Sequence, residues 1–422
     1  MSIASKLDFG RAEGARETSA APRIYAVWTR VHATEQMAGR DKFVGAVKIA
    51  ISEFPHRNFY VRNRLQGRRW RGAAAILRDY VWGQLSGSPR ALQVLLHEDP
   101  AELARFRADL MEFKPDIVLI DTVRLVAYAQ AVRELLPKAK LVIDMDDLMS
   151  RRYAELAQMR VPINLGVITK LVPKWVPTLI GKAGIAQSVY KGEANGLAAA
   201  EAKLTAIADT VVFASTFEAS TYRRSIAGSA HRPKINNVCP PIFLLSDNVA
   251  PIEPPLRFIW VGTDGLIQNE QSIRYLLDLW RDRRFKTPLV LYGKMTKQWA
   301  IPPNVHFAGF ELDFVRIYAP GSVLLAPSFV RGGVKTKVIE AFGYGVPVLG
   351  TTPAFEGLDI DYPLAFTDPN RLAEFIGTID TRIEEFRRAQ LIGHEFVARS
   401  CTTARFREHW HEIVQDACTA SR

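Results

Sequence analysis

A short helix, introduced by two glycines and enclosed by two apolar runs, constrains the fold of this chain more than any other feature. The apolar runs are residues 323–326 and 346–349, and both are typical of buried strands. Gly332 and Gly333 stand before the helix, and two further glycines and a proline end it. This order of strand, glycine loop, helix and strand predicts an α/β unit.

The same unit has the features of an anion site. Glycine lacks a Cβ, so the backbone can approach a ligand closely, and the free N–H groups at a helix start attract negative charge. Lys335 and Lys337 add formal charge at this place. We therefore predict a phosphate site formed by the backbone of Gly332 and Gly333 together with Lys335 and Lys337. The alternative is a turn that serves the fold alone.

The residues of this unit also resemble those of a known family. The run Gly332-Gly-Val-Lys335-Thr-Lys337-Val-Ile-Glu340-Ala, followed by Gly345-Val-Pro-Val and Glu356-Gly-Leu, is similar to the donor-site signature of GT-B glycosyltransferases. The similarity is to the large retaining group called family 4, or group 1. It covers residues 256–366 and extends to the N-terminal half in pattern only. Many members carry a second glutamate where this chain has Gly332.

The resemblance implies two Rossmann-like domains facing a central cleft, the GT-B fold. It implies that Glu340 binds the ribose of a nucleotide sugar, such as a UDP- or GDP-sugar, and that no metal or other cofactor is needed. The leaving diphosphate would then be stabilised by the glycine backbone, the helix dipole and Lys337 or Lys335, of which Lys337 matches the more regular family position. Retention of the anomeric configuration is implied as well, with the donor phosphate taking the acceptor proton.

Length and proline content indicate how the chain is divided. A chain of 422 residues suffices for two domains of about 200 residues each. Prolines stiffen residues 247–255, which we interpret as the linker. We predict a disordered leader over residues 1–22, an acceptor-binding domain over 23–246, a nucleotide-sugar-binding domain over 247–380, and helices over 381–422 that pack back toward the first domain.

Composition sets the expected location and the class of partner. No apolar run reaches the length of about 18 residues that spans a membrane. Cys239, Cys401 and Cys418 have no metal spacing, and we expect free thiols in a reducing cytoplasm. The formal net charge of +11 indicates an anionic partner, which could be a nucleic acid, a phospholipid or a phosphorylated substrate.

Two basic stretches without acidic residues lie in the first half of the chain. Residues 57–78 contain seven arginines with interleaved aromatic residues, and residues 156–192 are basic, apolar and broken by prolines. Such segments are typical of a surface that binds an anionic membrane, although a solvated face or an internal packing loop would read similarly. RNA binding would give the same composition in the first stretch, but no RNA-binding motif accompanies it, so no nucleic-acid partner is expected.

The first domain offers two acceptor-side candidates. His32 lies in the loop after the first predicted strand, where doubly wound sheets bind ligands, and a solvated loop residue is the alternative. Asp144 and Asp146 end a later strand. Paired carboxylates can bind a divalent metal, but helix capping is the interpretation that we favour. Asp146 stays an acceptor or catalytic candidate, because the resemblance places it at the cleft.

The second domain offers further donor-side candidates. Gly262 and Thr263 follow a predicted strand and precede a helix, where a close phosphate approach is expected. Many relatives carry a basic residue in this loop and none stands here, so Lys294, after the next strand, is the candidate for the missing cation.

These observations together predict a metal-independent, retaining glycosyltransferase of the hexosyltransferase type. Its acceptor would be lipid-linked or a polysaccharide, in exopolysaccharide or cell-surface glycan synthesis. The protein would be cytoplasmic and peripherally bound to the inner face of the cytoplasmic membrane. Two other classes stay open: a GT-B sugar-nucleotide epimerase or hydrolase, which needs no acceptor, and a non-catalytic basic binding protein.

Overall fold

The computed structural model of the protein describes residues 21–29, 39–66, 69–159, 185–242, 245–246 and 249–419, without the side chains of residues 69 and 70. The predicted leader lies outside these ranges except for its last two residues. The loop that contains His32 and most of the second basic stretch also lie outside them.

The described residues form two parallel sheets of six strands each, with strand orders β2-β1-β3-β4-β5-β6 and β12-β11-β10-β7-β8-β9. The apolar runs form the central strands because both faces of a parallel sheet are covered by helices. The first sheet contains β1 (Ile24–Trp28), β2 (His56–Tyr60), β3 (Ile117–Asp121), β4 (Lys140–Asp146), β5 (Thr210–Phe213) and β6 (Lys234–Asn237). The second contains β7 (Arg257–Val261), β8 (Leu289–Tyr292), β9 (Val305–Gly309), β10 (Ser322–Ala326), β11 (Val348–Thr351) and β12 (Ala365–Phe366).

Helices flank both sheets and connect the parallel strands. Acidic residues and a serine begin several of them: Asp99, Ser215 and Asp368 each accept backbone N–H groups of the helix that follows. The helices are α1 (Gly39–Ile51), α2 (Arg69–Leu85), α3 (Leu92–Leu95), α4 (Pro100–Phe113), α5 (Val126–Leu135), α6 (Met149–Gln158), α7 (Ile185–Ile207), α8 (Thr216–Ser225), α9 (Ile267–Arg283), α10 (Phe314–Ile317), α11 (Thr336–Gly343), α12 (Thr352–Phe355), α13 (Pro369–Gly377), α14 (Ile383–Ser400) and α15 (Thr403–Thr419).

This arrangement confirms the predicted fold class, two Rossmann-like α/β units. The strand order reverses between β1 and β3 in the first sheet and between β7 and β10 in the second. Ligands of doubly wound sheets bind at the carboxyl ends of the strands beside such a reversal. The loops after β7 and β10 are therefore the expected place for a ligand in the second domain.

The two C-terminal helices pack on different domains. Phe386 and Phe396 of α14 lie in the core of the second domain. Phe406 and Trp410 of α15 instead join the core beneath α1, where the Phe406 and Phe43 rings meet edge to face with centroids 5.3 Å apart. The last helix thus connects the second domain to the first.

The cysteines differ from the prediction. Cys239 and Cys401 form a disulfide across 162 residues of sequence, and Cys418 is free. The expectation of three free thiols was wrong because an odd cysteine count does not reveal which pair the fold brings together. The chain after β6 meets the end of α14, where the Ile242 N–H donates to the Cys401 carbonyl at 2.8 Å.

None of the helices in the described ranges combines the length and apolar character needed to cross a bilayer.

Candidate active site

The loops that follow β7 and β8 touch at the carboxyl edge of the second sheet. A Cβ on Gly293 would lie 1.7 Å from the Gly262 carbonyl oxygen, so only glycine fits there. The Thr263 hydroxyl donates to the Lys294 carbonyl at 2.9 Å, and the Lys294 side chain is exposed. The structure thus brings the predicted residues Gly262, Thr263 and Lys294 together, through the backbone of Lys294.

Lys337 lies in the first turn of α11 and points into this edge. Its ammonium donates to the Val261 carbonyl at 3.2 Å and lies 4.6 Å from the centre of the Trp260 ring. Burial, together with the charge of Lys335, lowers the pKa of Lys337 to about 7. Among the described residues, no carboxylate pairs with Lys337. A partly buried ammonium that lacks a carboxylate partner among the described residues is suited to an anionic ligand, whose negative charge would favour the protonated form.

The two glycines before α11 are in close contact with the first domain. Gly332 and Gly333 have φ angles of +91° and +64°, in the region that glycine favours. The Gly333 N–H donates to Glu218 Oε2 at 3.1 Å, and a Cβ on Gly333 would lie 2.4 Å from Asp147 Oδ1. The Gly333 N–H, predicted to bind a phosphate, is therefore bound here by a carboxylate of the opposite domain.

Lys335 has a different environment from Lys337. It is the N-cap residue of α11, and its ammonium donates to the Gly332 carbonyl. Burial, with the charge of Arg152, lowers the pKa of Lys335 to about 8. Lys335 therefore stabilises the glycine loop in this structure, whereas Lys337 reaches the end of β7.

Glu340 lies one turn further along α11 and faces the first domain. Its Oε1 accepts from the Lys42 ammonium of α1 at 2.6 Å, and both side chains are partly buried. The Lys42 ammonium also lies 4.6 Å from the centre of the Phe314 ring. Glu340, which is predicted to bind the ribose, thus lies at the cleft, where its carboxylate is bound by Lys42 of the opposite domain.

A cluster of three carboxylates around Arg40, two of them buried and one partly exposed, forms the facing wall of the first domain. Arg40 bonds Asp121 at 2.6 Å and Asp144 at 2.7 Å, and its second nitrogen lies 3.2 Å from Asp146 Oδ1. Burial raises the pKa of Asp144 and that of Asp146, although the charge of Arg40 acts in the opposite direction. The pKa of Asp121 is lowered, because the charge of Arg40 and the bonds from Thr29 outweigh the effect of burial. Asp146 has a φ of +63°, an uncommon conformation that functional sites often contain.

The favoured interpretation of Asp144 and Asp146 as helix caps is wrong. The N-cap residue of α6 is Leu148, whose own side chain makes no capping hydrogen bond. The start of α6 is satisfied instead by glutamates of two later helices: Glu218 accepts the Leu148 N–H at 3.0 Å, and Glu201 accepts the Ser150 N–H at 2.9 Å. Arg40, which is distant in sequence, binds both aspartates in the folded chain, so they do not cap the helix that follows them.

Several contacts of the site, within the first domain and between the domains, were not predicted. Nothing in the sequence around Arg40 and Lys42 indicates that they belong to the site, apart from their place at the start of the first helix. The Glu218 N–H donates to the Ser215 hydroxyl at 3.2 Å, which caps the start of α8. Its carboxylate, however, bridges α6 and the glycine loop. The Glu356 carboxylate, part of the signature, lies 3.7 Å from Arg151 and 3.5 Å from Arg331.

A cavity of about 290 Å³ lies between α9 and residues 297–300, and none of the predicted site residues lines it. In the described ranges, no group of three or more His, Cys, Asp or Glu residues is arranged to hold a metal ion.

Replacing Glu201 with glutamine is expected to reduce the pH dependence of stability. Burial raises the pKa of Glu201 from 4.5 to about 7. Between these pH values the folded protein keeps a proton that the unfolded chain has released, so stability is full below about pH 4.5 and falls as pH rises to about 7. The shift corresponds to about 3 kcal/mol at most. Urea unfolding at pH 5 and pH 8 measures how much the free energy of unfolding changes with pH in wild type and in Glu201→Gln. An equal change in both proteins would show that Glu201 does not cause the pH dependence.

Comparison with known proteins identifies the second domain. Residues 255–379 match the family model described as Glycosyl transferases group 1. No protein in the curated collection matches the chain.

Three solved structures share the fold along almost the whole chain. The chain is similar to sucrose-phosphate synthase from Thermosynechococcus elongatus, with a TM-score of 0.62 and 12% identity over 94% of this chain and 100% of that one. For Anabaena HepE in complex with UDP and glucose, the TM-score is 0.56 and the identity 11%, over 94% of this chain and 100% of that one. For the apo form of the lipopolysaccharide outer core galactosyltransferase WaaB, the TM-score is 0.55 and the identity 14%, over 95% of this chain and 100% of that one. Residues 255–379 therefore constitute a group 1 glycosyl transferase domain within a chain that has the two-domain GT-B fold.

Proposed function

We propose that this glycosyltransferase uses a nucleotide sugar, such as a UDP- or GDP-sugar, and transfers the sugar to a lipid-linked or polysaccharide acceptor at an anionic membrane surface. The observation that carries the proposal is Lys337. Its ammonium lies partly buried at the carboxyl edge of the second sheet, beside the Gly262 loop, and has no carboxylate partner among the described residues. An anionic group of a ligand would supply the missing counter-charge.

The geometry supports separate roles for Lys337 and Glu340 in binding the donor. Glycosyl transfer requires that negative charge on the leaving diphosphate be stabilised while the glycosidic bond breaks. Lys337 and the uncapped start of α11 would supply positive charge to that diphosphate. Glu340 would accept hydrogen bonds from the ribose hydroxyls, in exchange for its present contact with Lys42. We propose that these groups suffice without a metal and that transfer proceeds with retention.

The first domain would bind the acceptor on the facing wall of the cleft. Asp146 is the partly exposed member of the Arg40 cluster, so its carboxylate is placed to contact an acceptor hydroxyl. A neighbour of the same fold acts on lipopolysaccharide and another was solved with UDP and glucose, which supports a glycan acceptor and a nucleotide-sugar donor. The net charge of +11 supports an anionic surface as the place of reaction.

Release of nucleoside diphosphate from UDP-glucose, UDP-galactose and GDP-mannose tests this function. The purified protein is incubated with each donor, with and without a bacterial membrane extract. We expect release from at least one donor that depends on the extract, because the extract supplies the acceptor. Release that ignores the extract would instead favour a hydrolase or epimerase, and no release from any donor would favour a binding protein.

A further inference from the structure

Helix α2 carries a stripe of large apolar side chains that faces away from the protein. Leu77, Val81 and Leu85 recur every four residues and so lie on one side of the helix, with Trp82 beside them. Trp82 is 71% exposed and Leu85 is 79% exposed, and the other two are exposed as well. Single exposed apolar residues are normal on a surface, but four on one helical face mark an interaction site. We call these four residues the α2 stripe.

The opposite side of α2 is fixed to the first domain. Ile76 packs in a buried cluster with Leu65, Leu95 and Leu96. The Tyr80 hydroxyl donates to the Val189 carbonyl of α7 at 3.4 Å. Because this side holds the helix in place, the α2 stripe is presented on a folded, oriented element.

Basic residues border the α2 stripe. Arg71 and Arg78 are both exposed, and Arg78 is 76% exposed. The acid of this helix, Asp79, is bound by Arg64 at 3.0 Å and by Arg78 at 2.8 Å, so this one carboxylate offsets the charge of the two arginines only in part. Apolar residues, a tryptophan and flanking arginines are the composition of helices that lie in the surface of anionic membranes.

A second copy of the chain is a poorer occupant of this face. In a symmetric dimer the same patch meets itself, so Arg71 and Arg78 would approach the arginines of the other copy. Repulsion between like charges in a dry interface would oppose such a contact. An anionic bilayer instead satisfies both the apolar side chains and the arginines.

We propose that α2 lies in the surface of an anionic bilayer, with the α2 stripe inserted among the lipid chains and Arg71 and Arg78 at the headgroups. The inference rests on the proposed transfer at a membrane surface and names the part of the protein that binds there. It concerns the first domain alone, so it leaves the donor residues of the second domain unaffected.

Vesicle flotation of the full chain tests the inference. Wild type is expected to float with phosphatidylglycerol vesicles at low salt, less so as salt rises, and not with phosphatidylcholine vesicles. The double variant Trp82→Ser, Leu85→Ser should bind the anionic vesicles at least about tenfold more weakly, since two inserted side chains are lost. Leu391→Ser removes an exposed apolar residue from α14 and should bind as wild type does.

Each other outcome overturns the inference in a recognisable way. If wild type and the double variant float equally, α2 is not the membrane-binding element, although the proposed membrane location would stand. Absence of flotation by wild type at low salt would refute both. A concentration-dependent dimer that the double variant loses, seen by sedimentation, would show that a second copy covers the α2 stripe. Nucleoside diphosphate release, measured in parallel, reports on the donor reaction independently.

Discussion

Replacing Lys337 with alanine is expected to lower turnover about 100- to 1000-fold, with a smaller effect on donor binding. The ammonium is partly buried, its pKa is lowered to about 7, and it lies at the end of β7 beside the Gly262 loop. A cation in this place matters most when the diphosphate leaves with its full charge. Steady-state release of nucleoside diphosphate, with kcat and KM measured separately, checks the prediction.

Two controls make the Lys337 result specific. Lys286→Ala removes an exposed lysine of the same domain and should leave turnover unchanged. Wild type should also keep its rate in a chelator such as EDTA, because Lys337 and α11 are proposed to replace a metal. Loss of the wild-type rate in EDTA would contradict the metal-independent mechanism, and a Lys337→Ala enzyme of normal kcat would contradict the role of Lys337.

Replacing Glu340 with glutamine is expected to weaken the binding of the nucleoside diphosphate about 10- to 150-fold. Hydrogen bonds from ribose hydroxyls to a carboxylate are worth about 1.5–3 kcal/mol, and the amide of glutamine keeps the shape but loses the charge. Stability should change by less than about 1 kcal/mol, because the bond to Lys42 joins two partly exposed side chains. Calorimetry with UDP, GDP and ADP measures the affinity.

Lys42→Gln separates the two contacts of Glu340. This variant removes the ammonium that Glu340 binds in the structure at 2.6 Å, yet it keeps the carboxylate for the ribose. Nucleotide affinity should therefore not fall. If Lys42→Gln weakens binding as much as Glu340→Gln does, the domain contact rather than a ribose contact explains the loss, and the ribose assignment is wrong.

The elements of the site were predictable where short segments determine them. The strand before Gly332, the short helix with Lys337 and Glu340, and its closing glycines follow one another within about thirty residues. Their order is dictated by burial of apolar strands and by the conformations open to glycine. The family signature lies on the same residues, so the second domain could be recognised from sequence.

The long-range interactions of the site, both between the domains and within the first domain, could not be predicted, because they join distant parts of the chain. Lys42 and Glu340 are separated by 298 residues, and Arg40 and Asp144 by 104. A carboxylate at a strand end looks the same in sequence whether it caps a helix or binds an arginine. The Gly333 position shows this most clearly: the need for glycine was predicted, but the carboxylates of Glu218 and Asp147 that approach it were not.

Transfer of a tritiated sugar from its nucleotide donor to the acceptors of a bacterial membrane extract is the measurement that tests the proposed function most directly. Label is counted in the lipid and polymer fractions for wild type, Lys337→Ala and Lys286→Ala. We expect incorporation by wild type and Lys286→Ala from at least one UDP- or GDP-sugar, and incorporation reduced at least about 100-fold in Lys337→Ala. Equal incorporation by all three proteins, or none by wild type from any donor, would contradict a donor site built around Lys337.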